Sequence, residues 1–181
     1  MESMDLGRRY RSIFLAGSTF NLLSDDETTA RALDRIRAHL ADGGSALVPL
    51  FIPQSGAVGE LGRAREAIDD TGATIRFTPL SEERDEGARL HTTVVRYERG
   101  DEVLERPWVL HWHTQEGFRA LVEAAGLSVV AVLDADSRPA TEDADVFVFW
   151  LTVPGRDTAL PSARAVGHGR RVRAARGVRR R

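Results

Sequence analysis

The sequence contains no cysteine. That excludes disulfides, thiolate metal sites and cysteine nucleophiles. It contains no lysine either, so all 25 basic residues are arginine. With much alanine and glycine beside it, this usage speaks of codons and not of function. No apolar run approaches the ~20 residues that a membrane-spanning helix needs. No basic region followed by an apolar core stands at the N-terminus, so no signal peptide is expected and the cytoplasm is the expected location. A Gly-x-Ser-x-Gly hydrolase elbow and a phosphate-cradling Walker loop are both missing. The one glycine cluster that follows a strand-like run, Gly56, Gly59 and Gly62, is spaced by three and three. A dinucleotide-binding turn needs a tighter Gly-x-Gly. There is no internal repeat.

What is present suits one soluble domain: 181 residues and 42% hydrophobic content are enough for a proper core. The net charge of −2 hides an asymmetry. Residues 161–181 hold 8 arginines and no acid, leaving 17 arginines against 27 acidic residues elsewhere, a net of −10. From Pro154 on, Pro, Gly, Ala and Arg recur without periodicity, which reads as a disordered Arg-rich tail over 154–181. Such a tail could meet phosphates by charge, but it lacks interleaved aromatics for base stacking, and nucleic-acid binding is not expected.

The chain is organised around Ser12 to Leu50. Ile13-Phe14-Leu15-Ala16 reads as a short strand, broken by Gly17-Ser18-Thr19-Phe20-Asn21. Ser24-Asp25-Asp26-Glu27 fits a capping box, with Ser24 as the N-cap and Glu27 three positions on. Ala30, Leu33, Ile36 and Leu40 then recur at helical spacing, and Gly43-Gly44 is the expected stop. Ala46 to Phe51 is nearly all apolar, the mark of a strand buried on both faces of a helix-covered sheet. Strand, helix and buried strand make a right-handed βαβ unit.

Further on, Glu60 to Ile68 reads as a short helical patch, Thr74 to Pro79 as a half-buried strand and Ser81 to Arg89 as a charged loop. Leu90 to Tyr97 and Val103 to His113 flank Gly100 and read as a β-hairpin. On its second strand Trp108, Leu110 and Trp112 alternate with Val109, His111 and His113. Thr114 can cap a helix with the stripe Phe118, Leu121, Val122 and Ala125, ended by Gly126. Leu127 to Leu133 and Val146 to Leu151 are two more strands.

Arg9 to Leu23, the helix ending His39-Leu40-Ala41-Asp42-Gly43-Gly44 and the apolar strand after it resemble the second half of a class I S-adenosylmethionine-dependent methyltransferase. Gly117-Phe118 through Gly126-Leu127, with its following strand, is similar to the last helix and sixth strand of that family. Val146 to Val153 would then be the antiparallel seventh strand. The resemblance implies an α/β fold, a partial Rossmann-like methyltransferase sheet of strands four to seven, over residues 1–153. It implies a β-hairpin insert within a β-rich, substrate-side stretch at 74–113. The family's glycine-rich loop after its first strand, and its acid after the second, find no counterpart here. The implied activity is methyl transfer from S-adenosylmethionine to a small-molecule acceptor, incomplete in this chain. The alternative is a non-catalytic truncated or split-gene fragment that acts only as a partner subunit. In either case the strand at 12–16 would be a bare apolar edge, open to self-association or to a partner supplying an N-terminal half.

On this resemblance Ala16, Gly17, Ser18, Thr19 and Phe20 would lie beside the methyl donor; an ordinary strand-to-helix turn is the other reading. His111 is the expected base, since an imidazole titrates near neutrality. His113 and Arg106 are expected to face the acceptor, with hairpin packing and a surface ion pair as their plainer uses. Two imidazoles two residues apart could ligate zinc, but a third ligand is not evident in the sequence, and no metal site is expected.

Overall fold

The computed structural model describes residues 1–56 and 61–154. The Arg-rich tail, from 155 on, lies outside the described residues. Two four-stranded sheets share the chain. The first runs in the order β1 (Tyr10–Phe14), β2 (Leu40–Phe51), β8 (Val146–Thr152), β7 (Ser128–Leu133). β1 and β2 are parallel, while β8 is antiparallel to both β2 and β7. The second sheet is an antiparallel meander of β3 (Arg65–Ile68), β4 (Thr74–Asp85), β5 (Leu90–Arg99) and β6 (Glu102–His111). Helices α1 (Asp26–His39) and α2 (Gln115–Ala124) complete the described residues, with a 3-10 turn at Thr19–Leu22. No helix among them is long and apolar enough to cross a membrane.

The core forms where both helices meet one face of the first sheet. Ala46, Val48 and Leu50 of β2 and Phe147, Phe149 and Leu151 of β8 are wholly buried there against Leu33, Ile36, Phe118 and Val122. The expected burial of β2 on both faces is not what the structure has. The strand alternates, because both helices pack on the same side. On the far face the paired residues Phe14, Leu47 and Trp150 form an apolar row that is 76%, 40% and 39% exposed. Among the described residues β1 is an edge strand of this sheet.

Local chemistry moves several boundaries. Asp25, not Ser24, caps α1: its Oδ1 accepts from the Thr28 amide at 2.7 Å, and the Ser24 hydroxyl donates to its Oδ2 at 2.9 Å. A carboxylate accepts more strongly than a hydroxyl, which decides between adjacent candidates. α1 ends at His39, and β2 begins at Leu40 without a glycine stop. Gly43-Gly44 instead lies within β2. A Cβ on Gly44 would stand 2.8 Å from the Ala41 carbonyl oxygen and 3.0 Å from that of Tyr10, so the glycine is there for close backbone approach. The helical patch expected at Glu60 to Ile68 is, from Arg65, the strand β3, whose spacing was too short to separate period two from period 3.6. The loop expected at Ser81 to Arg89 is strand as far as Asp85, because an irregularity between Pro79 and Ser81 lets β4 pass its proline and keep pairing.

The hairpin expected around Gly100 is β5 and β6, closed by Arg99 opposite Glu102. Gly100 takes φ +60°, as the first central position of a tight hairpin turn requires. Thr114 caps α2 by accepting from the Gly117 amide at 3.0 Å, and Gly126 closes it at φ +70°.

Candidate functional site

The site is built at the end of β1, where the chain leaves a parallel strand pair. In open α/β sheets the carboxyl edge of such strands is where ligands gather. Ala16, Gly17 and Thr19 are exposed there, Ser18 is half-buried, and Gly17 holds φ +67° with open space where a side chain would point. Phe20 differs from its neighbours. It is wholly buried and stacks edge-on against Phe118 at 5.6 Å, so it anchors the loop from beneath.

Asn21 fixes this loop to two other elements. Its side-chain amide donates to the Phe51 carbonyl at 2.9 Å and to the His111 carbonyl at 3.1 Å, and its oxygen accepts from the Phe51 amide at 3.3 Å. One buried side chain thus ties the loop after β1, the end of β2 and the end of β6. Nothing in the sequence analysis marked it, although a buried amide among apolar residues must be fully bonded to be tolerated.

The end of β6 is where the histidines lie. His111, Trp112 and His113 are all buried, where a continuing strand would have exposed every second one. The alternation stops because β6 ends at His111 and the chain turns into α2, with the Trp112 amide bonded to the Arg89 carbonyl at 2.9 Å. The Arg84 guanidinium lies over the Trp112 ring, 4.6 Å from its centre. The two imidazoles meet at 4.6 Å between ring centres and 75° between planes, and His113 also packs on Phe118 at 5.4 Å.

Asp26, in the first turn of α1, completes the group. Its Oδ1 stands 3.6 Å from His111 Nε2 and 3.6 Å from His113 Nδ1, while Arg89 donates to its Oδ2. The sequence offered no third partner for the histidines, and the structure supplies one. The signal was the Asp25-Asp26 doublet: one carboxylate caps the helix, which leaves the other free to turn inward. Burial pushes the His113 imidazole down to about 4, and the adjacent His111 adds to the shift. Burial lowers His111 as well, helped by Arg89 and opposed by Asp26 and Asp25. Both rings are therefore held toward the neutral form at pH 7, each with one lone pair to offer.

Arg106 is not part of this group. It is exposed on β6, five residues before His111, which is about 17 Å along the strand and on the opposite face. A second buried polar pair lies on the neighbouring sheet: His91 Nε2 is 3.0 Å from Glu82 Oε1, and Glu82 also accepts from the Gly56 amide at 2.9 Å.

No protein-family model and no curated protein sequence matches the chain. Solved structures do match its fold. The CcbJ methyltransferase of Streptomyces caelestis is 20% identical over 83% of this chain and 64% of its own, with a TM-score of 0.61. An S-adenosylmethionine-dependent methyltransferase of Clostridium acetobutylicum is 12% identical over 85% and 62%, at 0.63. CalS10 of Micromonospora echinaspora, an amino pentose methyltransferase solved with S-adenosylmethionine bound, is 21% identical over 83% and 62%, at 0.53. The chain therefore spans less than two thirds of the length of each of these proteins. Over that span, the described residues share the α/β fold of S-adenosylmethionine-dependent methyltransferases.

Proposed function

We propose that this chain contributes to methyl transfer from S-adenosylmethionine to a small-molecule acceptor. The observation that carries the reading is the tie made by the buried Asn21 amide between the turn that follows the exposed loop Ala16–Thr19 and the His111 carbonyl at the end of β6. The sheet order supports it: β8 alone runs against β1, β2 and β7, as the antiparallel seventh strand that the sequence resemblance implies would do. When bound, S-adenosylmethionine supplies an activated methyl group. The open, glycine-bearing loop fits one side of such a ligand, and Phe20 and Asn21 hold that loop in place. The chain's main task is to position the acceptor and exclude water. His111, kept neutral by burial, is the group to take a proton from the acceptor's nitrogen or oxygen, with His113 lining the same wall. Amino sugars are the first acceptor class to test, on the likeness to CalS10.

A second reading is a subunit that works only beside a partner chain. The bare β1 edge and the exposed row of Phe14, Leu47 and Trp150 favour it. Calorimetric titration with S-adenosylmethionine, alongside light scattering, separates the two. Micromolar binding by a monomer supports the enzyme reading and removes the need for a partner. A self-associated chain that binds no cofactor overturns the first reading for this chain alone. In any active assembly, His111→Gln should lower turnover more than cofactor affinity, and unchanged turnover would remove His111 from the site.

A further inference from the structure

We infer that Asp26, His111 and His113 form a binding site for a divalent transition-metal ion of the zinc class. The three side chains each offer one ligand atom, and these atoms lie within 4.8 Å of one another. Zinc held at about 2.0–2.1 Å by nitrogen and oxygen sets neighbouring donor atoms about 3.3 Å apart in a tetrahedral site. The two contacts at 3.6 Å from Asp26 Oδ1 already approach that spacing, so small side-chain rotations would bring the set together.

The polar atoms themselves call for an occupant. Asp26 Oδ1 and His113 Nδ1 are buried and have no hydrogen-bond partner, and at 3.6 Å they are too far apart to satisfy each other. Burying such groups unpaired is costly, and His113 is wholly buried. The carboxylate is also divided in its use. Arg89 takes Oδ2, which leaves Oδ1 aimed between the two rings. That is the arrangement of a ligating carboxylate steadied by an outer hydrogen bond. Imidazole suits zinc, copper, iron and nickel, and a carboxylate beside two imidazoles does not favour magnesium or calcium, which take oxygen ligands. Three protein ligands leave at least one position open for a small oxygen or nitrogen donor.

The site rests on the geometry of these residues and not on the methyl-transfer reading. The two uses of His111 exclude each other, because an ion on Nε2 takes the lone pair that a base needs. A bound ion would therefore hold the proton-accepting function closed.

The test is direct titration of the chelator-washed full chain with Zn2+ alone, followed by calorimetry, and with Co2+ followed by its visible absorption. The expected result is one ion per chain at micromolar affinity or tighter. Asp26→Asn sits at a half-exposed position and should leave the circular dichroism unchanged while weakening binding at least about tenfold, since even outer partners are worth 10–100-fold. His111→Gln should do the same. Asp69→Asn, a carboxylate of the turn between β3 and β4 and outside the cluster, should leave binding untouched. Absence of stoichiometric binding by the folded chain would overturn the site, as would binding that Asp26→Asn leaves intact or Asp69→Asn abolishes. None of these readouts depends on methyl transfer, so the site and the enzymatic reading can fail separately.

Discussion

The two sheets of this chain are held by different means. The first has a phenylalanine core: Phe118 stacks edge-on at 4.9 Å against Phe149, which meets Phe147 at 5.9 Å, with both helices closing over them. The second has few wholly buried side chains, and β6 is exposed along most of its length. It is held by backbone ladders and by ion pairs such as Arg76–Glu66 at 2.9 Å, Arg96–Glu105 at 2.7 Å and Arg99–Asp69 at 2.6 Å. Pairs as exposed as the first two contribute little each, about 0–1 kcal/mol. The lesson is that stability and exposure divide between the sheets, and the candidate site sits where they join, with its histidines at the last turn of the exposed sheet and its aspartate on a helix of the buried one.

The largest effect expected from this contrast comes from truncating one aromatic in each sheet. Phe149→Ala should cost about 3–5 kcal/mol, as core phenylalanine truncations do. Phe77→Ala, which removes a half-buried ring from an edge-on pair with Tyr97 at 5.6 Å, should cost about 1–2 kcal/mol. Urea unfolding measures both, and equal losses would show that the second sheet carries a core of its own.

A smaller effect is expected within the first sheet, between its two faces. Trp150 is the neighbour of Phe149 in sequence but points to the bare face. Trp150→Ala should change chain stability by less than about 1 kcal/mol. On the partner-subunit reading, it and Leu47→Glu should each reduce self-association in light scattering. A loss on the scale of Phe149→Ala would mean that this face is covered in solution.

The smallest effect concerns pH. Hydrogen bonds from the Thr71 hydroxyl and the Ala73 and Thr71 amides, with Arg99 adding, hold the Asp69 carboxyl down to about 2. This group's folded pKa lies below its unfolded value, so its contribution is full above about pH 4. It is lost as pH falls toward 2. Asp69→Asn should flatten the melting temperature against pH across that window, and should do so without touching the first sheet's core. An unchanged acid slope would show that the turn between β3 and β4 does not depend on the ionised carboxylate.

The elements of the first sheet were legible because they are periodic or nearly all apolar. The stripe Ala30, Leu33 and Ile36, the run Ala46 to Phe51 and the run Val146 to Leu151 could be read as helix and strands without knowing their partners. The second sheet was read in part. Gly100 marked its hairpin, but β3 and the far half of β4 are short, charged and exposed, and such segments take their form from the strand they pair with. The site was read by halves in the same way. His111 and His113 drew notice as a pair on one strand. Their partners did not, because Asp26 looked like part of a helix cap and Arg89 like part of a loop.

By itself the sequence determined the α/β class, the order of the main elements, the cap of α2 and the turn of the hairpin. Each depends on residues within about a turn or a strand of one another, where propensity, periodicity and glycine's left-handed backbone act locally. Only the tertiary structure decided that both helices lie on one face, that a row of Phe14, Leu47 and Trp150 stays bare, and that Asp26 turns toward two histidines. Those outcomes depend on pairings between segments far apart in the chain, as when Asn21 bonds the His111 carbonyl across 90 positions. No local rule reaches that distance, since the contact exists only after the sheet has brought its strands side by side.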